Sequence, residues 1–129
     1  MRIETRRRSI IAVGASIVAL VLSAIPLSAH HGWGGYVDAL SDLSGTVVSP
    51  VSLAGPHATM KVTAEGKTWD VVLAPPARTS QAGLKEGMIP AGEKVIVHGQ
   101  RHRDPKKFEI KTTRLTWNGK VYNVYSDRN

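Results

Sequence analysis

The chain has 129 residues, 17 basic and 10 acidic, for a formal charge of +7, and it has no cysteine. That length suits one domain plus a targeting segment, and the missing cysteines exclude disulfides and thiolate metal centres. Much of the charge sits at the start: setting aside Arg2, Arg6, Arg7, Arg8 and Glu4 leaves 13 basic and 9 acidic residues, a charge of +4. Such a mild excess favours solubility and does not make a nucleic-acid footprint.

Residues 1–29 read as a secretory signal. Met1 to Arg8 is basic, Ser9 to Ile25 is uncharged and apolar, and Pro26-Leu27-Ser28-Ala29 supplies a break and a small residue for cleavage. The expected destination is the periplasm. A retained membrane anchor is the alternative, since the apolar run is near the lower length limit for a span.

Cleavage after Ala29 would expose His30-His31-Gly32-Trp33-Gly34-Gly35, the head of a glycine-rich arm over residues 30–43. The His30 α-amine and imidazole, with the His31 imidazole, form the three-nitrogen set that copper(II) accepts in tetragonal geometry. Were Ala29 kept, His31 would stand third, which is also a copper-binding terminus. The expected cofactor is therefore copper, with His57 as a possible further ligand.

The body of the domain, residues 44–125, reads as β structure. Leu43 to Leu53 is a bent first strand, with Gly45 and Pro50 at the bends. Ala58–Ala64 and Lys67–Leu73 form a hairpin about Glu65-Gly66, pairing Val62 with Trp69, Met60 with Val71 and Lys61 with Asp70. Ala74-Pro75-Pro76 ends that strand, and Thr79 or Ser80 is expected to cap a short helix reaching Glu86, with Gly87 terminating it.

Glu93 to Gly99 is the next strand, with His98 on its less apolar face and expected to find a hydrogen bond. Residues 100–107 read as a polar loop holding Arg101, His102, Arg103, Lys106 and Lys107. Phe108 to Trp117 then folds back at Asn118-Gly119, a strong two-residue hairpin signal. Residues 126–129 are expected to fray.

Three strands, a short helix, two strands and a terminal hairpin strand predict an all-β fold with one short helix, an OB-like barrel of five to six strands. A small β-sandwich or an SH3-like barrel is the alternative. No nucleophile, metalloprotease or phosphate-loop motif is present, so an enzyme is not expected. Arg101, Arg103, Lys106 and Lys107 offer a patch for an anionic ligand or a periplasmic protein partner. Export argues against nucleic acid.

Ala29-His30-His31, Leu43-Ser44-Gly45-Thr46-Val47, Pro56-His57-Ala58, Trp69 and Gly92-Glu93-Lys94-Val95 together resemble the DUF6152 family of small exported bacterial proteins of unknown function. The likeness spans nearly all of the chain beyond Ala29 and departs at Gly55, where the family usually has asparagine. It implies an exported OB-like domain and no established activity.

Overall fold

The computed structural model describes residues 32–129. Six strands follow in chain order: β1 (Tyr36–Ser52), β2 (Thr59–Ala64), β3 (Lys67–Val72), β4 (Lys94–His102), β5 (Glu109–Trp117) and β6 (Lys120–Asn123). A single α-helix among the described residues, α1 (Pro76–Gln81), lies between β3 and β4, and a 3₁₀ turn over Ser126–Arg128 ends the chain.

The strands form one sheet in the order β3-β2-β1-β4-β5-β6, closed by a parallel pairing of β3 with β5. Five strands thus make a ring, β1-β2-β3-β5-β4, with β6 hung on its rim. This is the OB-like barrel expected from the order of the elements, and ring closure sets aside an open sandwich.

The long β1 serves both halves of the ring, pairing with β4 through Thr46 and with β2 from Thr46 onward. Gly45 marks the corner between them. A Cβ there would come 2.9 Å from the Thr63 carbonyl oxygen and 3.2 Å from Val62 and Ala64, so only glycine lets the strands cross so closely. Register shifts after Val47 and Ser49 continue the bend.

The β2–β3 hairpin has the register anticipated from its alternation, with Val62 opposite Trp69, Met60 opposite Val71 and Lys61 opposite Asp70. Its inward face joins Leu43, Val47, Val95, Val97, Ile110 and Leu115 in one core. The Asn118-Gly119 turn likewise pairs Trp117 with Lys120 and Leu115 with Tyr122.

Four local expectations are corrected. The arm becomes strand at Tyr36 rather than beyond residue 43, because it pairs with the far end of β4, Tyr36 opposite His102. That same pairing carries β4 on to His102, so Arg101 and His102 are strand residues and the loop begins at Arg103.

The helix starts earlier than expected. Pro76 occupies its first turn, where a missing N–H costs nothing, and the prolines that end β3 also open α1. Thr79 is no cap; it is buried and donates its hydroxyl to the Ala74 carbonyl at 2.8 Å. The helix stops at Ala82, ahead of Gly83 at φ +103°, so Gly87 closes a later turn and Leu84 is buried beyond the helix. Lastly, the tail expected to fray is fastened by Arg78 to Asp127 at 2.8 Å and by Arg128 over the Trp33 ring at 4.3 Å.

Candidate functional site

Before β1 the chain turns through Gly34-Gly35, with the Tyr36 N–H donating to the Trp33 carbonyl at 3.1 Å. This turn brings Trp33 back onto the barrel, where its ring meets Tyr125 edge-on at 5.1 Å. Gly32 and Trp33 then line a pocket of about 210 Å³ together with His57, Lys111 and Tyr125. His57 enters it from the turn ahead of β2, and Tyr125 from just beyond β6.

Lys111 reaches this pocket because of an irregularity in β5. Ile110 and Leu115 both belong to the core, yet they are five residues apart, which strict alternation forbids. A register shift opposite His98 and Gly99 absorbs the odd residue. Gly99 permits it, since a Cβ there would overlap the Lys111 carbonyl, whose carbon would be 2.8 Å away. Lys111 therefore faces away from Ile110, and Trp33 and Tyr125 cover it.

The result is a lysine that is only 2 % exposed. Its ammonium lies 5.4 Å from the Trp33 ring centre and 5.9 Å from that of Tyr125. Among the described residues it forms no hydrogen bond and no ion pair. Glu109, the nearest acid to act on it, is engaged by the Tyr36 hydroxyl at 2.6 Å. Burial lowers the Lys111 pKa, Glu109 partly restores it, and Arg128 lowers it further. The His57 pKa is lowered too, first by burial and then by the charge of Lys111.

His30 and His31 lie outside the described residues. Among the described residues, no three histidine or carboxylate side chains gather as a metal-holding group. His57 is therefore the one expected ligand that can be placed, and it shares its pocket with the two residues that directly follow His31 in sequence.

The expected basic patch divides. Arg101 is held by both oxygens of Glu65, at 2.8 and 3.0 Å, donates to the Ser41 hydroxyl at 3.2 Å and lies over the Trp69 ring at 5.0 Å. Arg103 donates to the Gly34 carbonyl at 3.2 Å and stands 3.7 Å from Asp38, so it fastens the arm. Lys106 and Lys107 are exposed on the turn that Asp104 organises. Arg101, Arg103 and Lys107 border one groove of about 470 Å³ beside Trp69 and Phe108, which Lys106 does not line.

His98 finds its hydrogen bond, Nδ1 to Asp42 across the β1–β4 pair at 2.5 Å. His102, expected in a polar loop, is half-buried edge-on to Tyr36 at 5.6 Å. A roomier groove, about 590 Å³, runs past Gly45, Gly66, Ile96 and Asn118, with Glu65 and Lys94 at its border. It gathers none of the expected site residues, so size is a poor guide to the chemistry here.

Sequence reading missed Lys111 and Tyr125. Only the odd spacing of Ile110 and Leu115 hinted that β5 carries a bulge and that a residue between them would turn away from the core.

No protein-family model matches the chain, and no curated protein does. Among solved structures it is similar to the ZRD-deleted mutant of TiaS in complex with agmatine, at 16 % identity and a TM-score of 0.51, over 70 % of this chain and 27 % of that one. It is similar to apo TiaS at 14 % identity and TM-score 0.47, and to a tRNA fluorescent labeling enzyme at 15 % and 0.47, each over 60 % of this chain. The chain spans 27 % or less of those proteins. The likeness is one of fold alone.

Proposed function

We propose that the chain is an exported, non-catalytic binding module, akin to the DUF6152 proteins it resembles, that holds copper where its arm returns to the barrel. The ligands are the His30 α-amine, the His30 and His31 imidazoles and, more weakly, His57. One observation carries this reading: Gly32 and Trp33, next in sequence to His30-His31, line the same pocket as His57. Consecutive Cα atoms are about 3.8 Å apart, so two residues of chain are long enough to reach a pocket that Gly32 lines. Fastening the arm also removes chain entropy that an ion would otherwise have to overcome.

Neutral imidazoles suit copper, and a nitrogen-rich set selects it over harder cations. Lys111 acts against His57 as a ligand, because its ammonium shares the pocket and repels a second cation. The ranking of effects follows: His57→Ala weakens copper less than the His30→Ala/His31→Ala double substitution does. Copper titration of the mature protein, followed by EPR, tests this, with mass spectrometry establishing the N-terminus. The expected result is a type-2 spectrum with nitrogen couplings that the double substitution abolishes. Unchanged affinity in the double variant sinks the reading.

A further inference from the structure

We propose that Lys111, flanked by His57 and Arg128, forms a binding site for a small oxyanion in the pocket between the arm and the barrel. The site shares only His57 with the copper reading and stands without it.

Lys111 carries the argument. An ammonium has three donors and no acceptor capacity, and one whose remaining surface opens on a small pocket draws an anionic acceptor there. Lys111 is 2 % exposed, and the described residues supply it with two ring faces and no oxygen. Ring faces attract a cation but take none of its N–H donors, and the Nζ is not a buried unpaired atom: it keeps a small surface at the pocket it lines. Its ammonium lies 3.2 Å from where a Cβ on Gly32 would stand, and both residues line the pocket.

One acid acts on Lys111, Glu109 of the same strand, and the Tyr36 hydroxyl already engages it, while the arginines nearby add positive charge. Arg128 lies over the Trp33 ring at 4.3 Å and has no ion pair among the described residues. Arg78, over the Tyr125 ring at 4.5 Å, is the only one of these cations with an ion pair among the described residues, to Asp127 at 2.8 Å. His57 lines the same pocket. A pocket lined by Lys111, with Arg128 beside it, attracts negative oxygen.

Volume sets the class of ligand. About 210 Å³ takes an anion of phosphate size with a few waters. Phosphate, sulfate and short carboxylates share the chemistry that Lys111 lacks, an oxygen-borne charge accepting from the ammonium.

The test is a titration of the mature protein with inorganic phosphate, followed by NMR at the Trp33 indole N–H and the His57 ring. Chloride at matched ionic strength is the control, acetate the carboxylate arm, and a chelator keeps copper out so that either reading can fail alone. The expected result is a saturable shift at Trp33 and His57. Lys111→Met weakens binding by about tenfold or more, whereas Lys120→Met, at the exposed cation over Tyr122, leaves it unchanged. Shifts that chloride reproduces, or equal affinity in Lys111→Met, overturn the site. Should Lys111→Met fail to fold, the wild-type titration against chloride still decides.

Discussion

Arg101 and Lys111 each lie over a tryptophan ring, at 5.0 and 5.4 Å, on neighbouring strands one register step apart. Arg101 stands opposite Ile110 and Gln100 opposite Lys111, so the two cations occupy opposite faces of the β4–β5 pair. On one face the guanidinium has both oxygens of Glu65 and closes over buried Trp69. On the other the ammonium has no ion pair among the described residues, since Glu109 beside it is engaged by Tyr36, and its tryptophan belongs to the arm. The same pairing of cation and tryptophan makes a finished structural joint in one place and leaves the cation's donors free of protein acceptors among the described residues in the other. What separates them is the counter-charge.

The largest effect expected from that contrast concerns the tryptophans. Trp69 is buried and donates its indole N–H to the Ala64 carbonyl at 3.0 Å, so Trp69→Ala should cost about 3–5 kcal/mol of stability. Trp33 is only half-buried and packs mainly on Tyr125, so Trp33→Ala should cost about 1 kcal/mol. Urea unfolding of the two variants measures both. Equal losses would mean that the arm is as much a part of the core as β3, and the contrast would collapse.

Smaller, and opposite in sign, is the effect of removing each cation. Lys111→Met replaces a buried charge without an ionic partner by an apolar chain of similar shape, and should raise stability at neutral pH by about 1 kcal/mol. Arg101→Met breaks an exposed pair and should lower it by less than about 1 kcal/mol. The pH dependence of the first follows from linkage. The folded Lys111 pKa is lowered, so its charge destabilises the fold at every pH below that value. As pH rises from the folded value toward the unfolded one near 10.5, the penalty fades. The advantage of Lys111→Met should thus shrink in alkaline solution. An advantage independent of pH would place its origin in packing rather than charge.

These two faces were not equally legible in the sequence. The hairpin about Glu65-Gly66 was readable because strict alternation from Met60 to Val71 admits one register, and a slip would expose the whole apolar set. Asn118-Gly119 was readable from turn chemistry alone. The start of α1 was not, since Pro75-Pro76 serves equally as the end of a strand and the first turn of a helix. Arg101 and His102 looked like loop because they are charged, yet the extension of β1 to Tyr36 supplies a partner strand for them. Lys111 was hidden by the bulge, which breaks the period that would have assigned it a face. His57 was placed by its turn, but its neighbour Trp33 came from a glycine-rich arm that offers no period at all.

The smallest and sharpest effect is on His57. Its pKa is held below the usual 6.5 by burial first and by the Lys111 charge second. Because the folded value is lowered, the unfolded chain takes up the proton more readily, and stability falls as pH drops from about 6.5 through the folded value. Lys111→Met removes the second cause and leaves the first. The His57 pKa should therefore rise in that variant yet stay below its ordinary value, as read from the pH titration of its ring protons by NMR. Phosphate added to the wild type should act in the same direction, since an anion beside Lys111 offsets the charge that His57 faces. A His57 titration indifferent to both changes would show that Lys111 does not act on this pocket, and the open face of the comparison would close.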